Sequence, residues 1–471
     1  MFLNEVKVNV KPIFINYSPA EYAANKGVLP KEIAKKSIDE KMPIFKQLKG
    51  VNLLESYLVE SEEDILKLGG ELTRDIDFIL TQIVGNVYHH GWRHISPTEV
   101  RIADSYNVPL LKLATNVWDF LDLDAVAALR ASGKKVYWGP SLEEMNKYLR
   151  IQQIKKALSK SKLLIFGALA SASSVVTNIH DPALIKEKTG IEIGYYSIEQ
   201  LREDIKEISD EEGERIADEW FNGATSVRTL YRKDELNKKY RINSGRLELV
   251  IRKALKTQKA TAEAGCVAGV VEPDAPACVT LTRLKDEGIP AACEADVNAA
   301  LPMIMLMFVA EAPADMGNVY VPTGAEHMMD LEVPNPDDNT IIAGHSVTPR
   351  KIKGFDSPPD EYEIIGTHCD TCFASNHVTH MEIEPGQMAT LARMNSKVDK
   401  LLLLKGKVTK SIMTPIQGNR QVTYFDLGKK ASDFWGEYAP SFGNHLTWVF
   451  GDHVEEMSLL CKELGIEPVI F

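Results

Sequence analysis

A chain of 471 residues, 44% hydrophobic and 25% charged, is long enough for two or three domains and a sizeable core. A formal net charge of −12, with no dense Lys/Arg patch to offset it, argues against nucleic acid and anionic membrane surfaces as partners, because both are polyanions. The start, Met1 to Lys7, lacks the basic and apolar regions of an export signal, and the longest apolar run, Val297 to Ala310, is interrupted by Pro302 and too short to span a bilayer. A cytoplasmic protein is expected, its six Cys serving as thiols or as part of a site rather than as a disulfide framework.

From the N-terminus, Val8 to Asn16 reads as a strand, and Leu29 to Leu48 has helical spacing with Pro30 in its first turn. Val51 to Val59 and Glu62 to Leu72 repeat the strand and helix patterns, Phe78 to Val84 is another apolar strand, and the segments from Pro97 to Leu158 continue the alternation. Such alternation with short joins predicts a parallel sheet covered by helices, so residues 1–161 are assigned to an N-terminal α/β domain.

A second α/β domain, 162–330, opens with the strand Leu163 to Gly167 and the small-residue loop Ala168 to Ser174. Asp181-Pro182 marks a helix start and Gly190 its stop; Ile191 to Ile198 is the next strand. Two charged helices, 198–222 and 233–259, should present solvated faces, and Cys266 to Val271 and Pro276 to Leu281 read as further strands. Then comes the turn Ala291-Ala292-Cys293-Glu294-Ala295-Asp296, leading into the apolar helix Val297 to Ala310. Carboxylates there would lie where the loops of an open α/β sheet diverge and ligands collect.

Beyond Asn318 the texture changes. Pro313, Pro322, Pro334, Pro336 and the Asp337-Asp338-Asn339 turn mark a boundary, followed by short strand-like runs from Thr340 to Leu427, the strand Leu446 to Phe450 and a final helix, Val454 to Leu464. Residues 331–471 are therefore read as a smaller, mostly antiparallel β domain with a terminal helix. No repeat and no glycine-rich phosphate loop is present, so nucleotide binding has no support.

Several imidazoles could carry chemistry. His445 follows the turn Ser441 to Asn444, which should expose its ring, and His345 ends a strand; either could equally be a structural histidine. The Tyr88 to His94 cluster fits no metal pattern and is left as a rim or interface. Cys369 and Cys372, with His377 and His380 behind them, could bind zinc, although the two His would point to opposite faces of a strand; packed thiols are the plainer reading.

The segment Gly288-Ile289-Pro290-Ala291-Ala292-Cys293-Glu294-Ala295-Asp296, with Gly317-Asn318-Val319 and Gly443-Asn444-His445, resembles the L-fucose isomerase family, most strongly over roughly the last 200 of the 471 residues. The resemblance implies two Rossmann-like α/β domains, a C-terminal barrel-like domain and a homotrimer or homohexamer. It also implies a divalent metal, usually Mn2+ (otherwise Mg2+ or Co2+), between the second and third domains. The family holds that metal with a Glu, an Asp and a His, which fall on Glu294, Asn318 and His445. The change of Asp to Asn318 keeps a carbonyl oxygen for a hard cation but removes a charge and a proton acceptor, for which Asp296 or Asp315 could stand in.

These residue types suit an aldose–ketose isomerase acting on a sugar, with deoxy- and otherwise modified hexoses among the candidate substrates. Such an enzyme removes a proton beside a carbonyl and returns it to the next carbon, with a cation stabilising the enediolate between. Glu294 is expected as ligand and proton-transfer base, Asp296 as auxiliary acid, and Asn444 and His345 as contacts to sugar hydroxyls. The competing expectations are a non-catalytic sugar-binding protein of the same fold and a structural zinc protein.

Overall fold

The computed structural model describes residues 3–17, 29–71, 75–84, 97–167, 177–179, 181–229, 238–265, 275, 277–321, 337–369, 374–413 and 421–471. The Tyr88 to His94 cluster, the loop Ala168 to Ser174, the expected strand Cys266 to Val271, and Cys372 lie outside them. The chain is mixed α/β and divides into two compact units, Asn4–Lys156 and one that contains Ala157–Phe471.

The first unit is built on a six-stranded parallel sheet in the order Val51–Leu53, Val8–Ile15, Phe78–Ile83, Leu110–Leu113, Val136–Gly139, with Tyr57–Val59 also pairing with Val8–Ile15. The Val51 to Val59 run is thus two short strands rather than one. Successive residues go to opposite faces: Phe14, Leu80 and Leu111 join one buried cluster with the helices Lys31–Phe45 and Leu142–Ser159. Ile13, Ile79 and Leu110 join another with Glu62–Glu71, Pro97–Tyr106 and Asp122–Ala131. Burial on both faces is why a strand such as Phe78–Ile83 reads as an apolar run without strict alternation.

The second unit holds a four-stranded parallel sheet, in the order Ala291–Ala292, Ala262–Gly265, Lys162–Phe166, Glu192–Tyr196. Asp181 caps the helix Pro182–Thr189 through the amides of Ala183 and Leu184, and Gly190 ends it in the left-handed conformation, as the sequence predicts. The first charged segment is two helices, Ile198–Glu207 and Asp210–Gly223, because Ser209 and Glu212 form a capping box that starts a new helix. Asp210–Gly223 lies so close to the next helix, Lys238–Gln258, that a Cβ on Gly245 would overlap the Gly213 carbonyl. That second helix buries Asn243, Ser244 and Glu248 and is not simply a solvated face.

Cys278–Asp286 is a helix, not the strand expected over Pro276 to Leu281. Val279, Thr280 and Thr282 give the stretch a strand-like composition, but all but one of its residues are buried, so no polar face betrays the 3.6 period. The unforeseen strand Ala262–Gly265 is short and lacks β-branched residues; it forms by parallel pairing with Lys162–Phe166.

The mostly antiparallel part is a seven-stranded sheet in the order Met388–Met394, Leu446–Phe450, Asp315–Tyr320, Thr340–His345, Gln421–Asp426, Lys400–Met413, Glu467–Ile470, the last strand pairing parallel. Met388–Met394 also pairs with Lys400–Met413, which closes six of the strands into a barrel filled by Leu391, Leu404, Phe425, Leu446 and Trp448. A separate three-stranded sheet joins Ala374–His380, Glu363–Cys369 and Ser226–Thr229. The helix Val297–Ala310, buried from Val297 to Val309, packs on both the barrel strands Met388–Met394 and Leu446–Phe450 and the parallel strands Ala262–Gly265 and Ala291–Ala292. Among the described residues no helix is long and apolar enough to cross a membrane.

Candidate metal centre

The parallel strand Ala291–Ala292 ends at Cys293, and the chain turns into the apolar helix within four residues. Glu294 and Ala295 both take positive φ, 60° and 50°, a conformation that side chains other than glycine adopt at a cost. Two polar residues hold the turn. Asn178 donates from Nδ2 to the Ala295 carbonyl (2.7 Å) and accepts at Oδ1 from the Val297 amide (2.8 Å), while Asp296 Oδ1 accepts from the Ala299 amide and caps the helix.

The turn brings the Glu294 carboxylate to two imidazoles. Its Oε1 is 3.5 Å from Nε2 of His345, at the end of Thr340–His345, and its Oε2 is 3.8 Å from Nε2 of His445, just ahead of Leu446–Phe450. One donor atom from each of the three lies within 4.8 Å of the others, and the ring centroids are 5.6 Å apart. The strand between the two histidine-bearing strands is Asp315–Tyr320, with Gly317 paired to Leu446 and Asn318 to Gly344.

His445 is fully buried, not exposed by its turn, because Arg393 draws the preceding loop inward: Nε donates to the Phe442 carbonyl (2.8 Å) and Nη1 to that of His445 (2.7 Å). Asp296 Oδ2 lies 2.8 Å from His445 Nδ1 and 2.9 Å from Arg393 Nη1. Burial acts to raise the pKa of Asp296, but the guanidinium of Arg393 and the bond from His445 outweigh it, and the carboxyl is held below its ordinary value. A carboxylate only accepts, so Nδ1 of His445 carries a proton and Nε2, aimed at Glu294, has the lone pair when the ring is neutral. That Nε2 and both ring nitrogens of His345 are buried without a hydrogen-bond partner. Orphaned imidazole nitrogens facing a carboxylate fit a divalent cation as shared partner, since a buried polar atom left unpaired costs about 1–3 kcal/mol. Two nitrogens and a carboxylate suit ions such as Mn2+, Co2+, Fe2+ or Zn2+ better than Ca2+.

Of the residues singled out in the sequence, Glu294 and His445 meet here, joined by His345, which was expected to contact sugar hydroxyls. Asn318 has its Oδ1 hydrogen-bonded by Nδ2 of Asn444, whose own Oδ1 accepts from the Val319 amide (2.9 Å). Both of the acids that could stand in for the missing Asp have cationic partners: Asp296 with Arg393, and Asp315 with buried Lys285 at 3.4 Å. His377 stacks edge-on to Phe221, and His380 faces Glu363 at 3.5 Å. Among the His, Cys, Asp and Glu side chains of the described residues, Glu294, His345 and His445 form a cluster of metal-ligating geometry. Arg393 and Asn178 were not foreseen; an arginine inside the run Ala389 to Met394 was a visible signal, whereas Asn178 carried none. Neither the protein-family models nor the curated proteins compared with this sequence match it.

Proposed function

We propose that this protein is a divalent-metal-dependent aldose–ketose isomerase, in line with the resemblance of its turn and strand-end motifs to the L-fucose isomerase family. The observation that carries the reading is the meeting of Glu294 with the unpartnered nitrogens of His345 and His445, three residues far apart in the chain. A bound cation would supply the positive charge that an enediolate needs. Glu294, with about a quarter of its side chain exposed, can reach a substrate and carries the proton between adjacent sugar carbons. Asp296, fully buried and bonded to Arg393 and His445, holds the site together instead of exchanging protons with substrate. Asn444, exposed at the rim, contacts sugar hydroxyls. Mn2+ or Co2+ is the proposed ion and a homotrimer or homohexamer the proposed assembly.

The test is a screen of pentoses, 6-deoxyhexoses and acidic or sulfonated hexoses for aldose–ketose interconversion, with and without Mn2+, beside Glu294→Gln. Metal-dependent turnover abolished by the substitution is expected. Turnover that persists without metal would refute the proposal, and sugar binding without turnover would make the protein a non-catalytic sugar-binding one. The donor set favours one second reading: two His and a carboxylate are also the ligands of oxygen-activating Fe2+ sites, so Fe2+-dependent oxygen consumption in the same panel would redirect the assignment.

A further inference from the structure

We infer that Asp296 and Arg393 are positioning residues of the cation site, which fix the His445 ring in the tautomer and orientation that aim its Nε2 lone pair at Glu294. The inference rests on the proposed cation site and goes beyond it, because neither residue faces the cation.

Three contacts carry the argument. Asp296 Oδ2 accepts from His445 Nδ1 at 2.8 Å, which decides the tautomer. The same oxygen accepts from Arg393 Nη1 at 2.9 Å, so the carboxylate keeps its charge although nothing of it is exposed. Arg393 Nη1 also donates to the His445 carbonyl at 2.7 Å and Nε to that of Phe442 at 2.8 Å, so one guanidinium holds both the backbone of His445 and the acid on its ring. Gly443, at φ 93°, lies beside the guanidinium, where a Cβ would be in ordinary contact with Arg393 Nε at 3.4 Å. Asp296 is in addition the N-cap of Val297–Ala310, so the helix start that follows Glu294 and the ring of His445 share one buried carboxylate. A pair serving stability alone would not need to engage the ring nitrogen opposite the one facing Glu294. A hydrogen bond from a ligand histidine's other nitrogen to a carboxylate typically changes metal affinity by about 10–100-fold.

The test uses the full chain, metal-free, labelled with 15N-imidazole histidine, the His445 signals being assigned by their loss in His445→Gln. The Nδ1–H tautomer is expected; an Nε2–H ring, or rapid exchange between the two, would overturn the inference. Mn2+ titration then compares wild type with Asp296→Leu/Arg393→Met, which removes both charges together and leaves neither buried alone. A folded double variant should bind about 10–100-fold more weakly, and unchanged affinity would overturn the inference. Should the double variant fail to fold, Asp296→Asn takes its place, with mixed tautomers and weaker Mn2+ binding expected and wild-type values in both refuting. Absence of Mn2+, Co2+ or Fe2+ binding by wild type would instead sink the proposed function, and the tautomer measurement distinguishes the two failures.

Discussion

Gly317→Ala tests whether the close approach of strands places the two histidines. Gly317 lies in Asp315–Tyr320, between the strand that begins after His445 and the strand that ends at His345. A Cβ there would lie 2.5 Å from the nitrogen and 2.6 Å from the carbonyl carbon of Gly344, the residue before His345. That is roughly 0.9 Å inside the 3.4 Å at which ordinary contact begins, and the obstructing atoms are backbone that cannot rotate away. Overpacking of this kind costs about 1–3 kcal/mol, so the urea midpoint of the second unit, followed through buried Trp448, should fall by about 1 M. The larger consequence falls on the site. Parting the strands by nearly an ångström moves His345 relative to Glu294, whereas ligand sets tolerate only about 0.5 Å. Mn2+ affinity should fall at least about tenfold, read by electron paramagnetic resonance of the free ion. A variant with wild-type urea midpoint and wild-type Mn2+ affinity would show that Gly317 does not set the spacing.

His345→Ala removes a cation donor rather than its support and should weaken Mn2+ binding about 100-fold or more with little change in urea midpoint; equal affinity would remove His345 from the ligand set. Gly245→Ala should part the helices Asp210–Gly223 and Lys238–Gln258, costing about 3 kcal/mol in urea unfolding, because its methyl would overlap the Gly213 carbonyl; a loss below about 0.5 kcal/mol would refute that contact. Glu263 is fully buried, and burial pushes its carboxyl well above its ordinary 4.5, with Lys285 opposing only in part. The unfolded chain therefore loses this proton near 4.5 while the native state keeps it, so the group's contribution to stability declines as pH rises from there towards the folded value. Glu263→Gln should gain stability over wild type as pH rises above 4.5 in urea titrations, and a pH-independent difference would refute this.

What the sequence revealed of the site was its polar residues, and what it concealed was their division of labour. Glu294, His345 and His445 were all legible as candidates, because a carboxylate after a small-residue turn and histidines at strand ends are uncommon within apolar surroundings. Which of them converge depends on strand order, since Asp315–Tyr320 inserts between two barrel strands separated by about a hundred residues, and no local pattern encodes that pairing. Arg393 stood out as the single charge of the apolar strand Met388–Met394, but such a charge is more often at an exposed edge than at a buried clamp, so its role could not be read. The layered architecture was easier, because apolar runs and helix caps such as Asp181 and Gly190 act locally. It failed where burial removed the polar face, as at Cys278–Asp286, and where pairing rather than composition made the strand, as at Ala262–Gly265.

Two acids two residues apart, on an extended strand, would share a face and repel each other. Here Glu294 is about a quarter exposed and turned to the imidazole Nε2 atoms, while Asp296 is sealed in the interior on the Nδ1 side of His445. The left-handed pair Glu294-Ala295 lies between these roles, at a cost of about 1–2 kcal/mol per residue. Asn178, bonded to both the carbonyl of Ala295 and the amide of Val297, and the cap at Asp296 offset that cost with hydrogen bonds that a relaxed turn would not align. The backbone strain and the split between a reachable and a buried carboxylate thus have one origin. An extended turn would relieve the strain and take from His445 the acceptor that orients it.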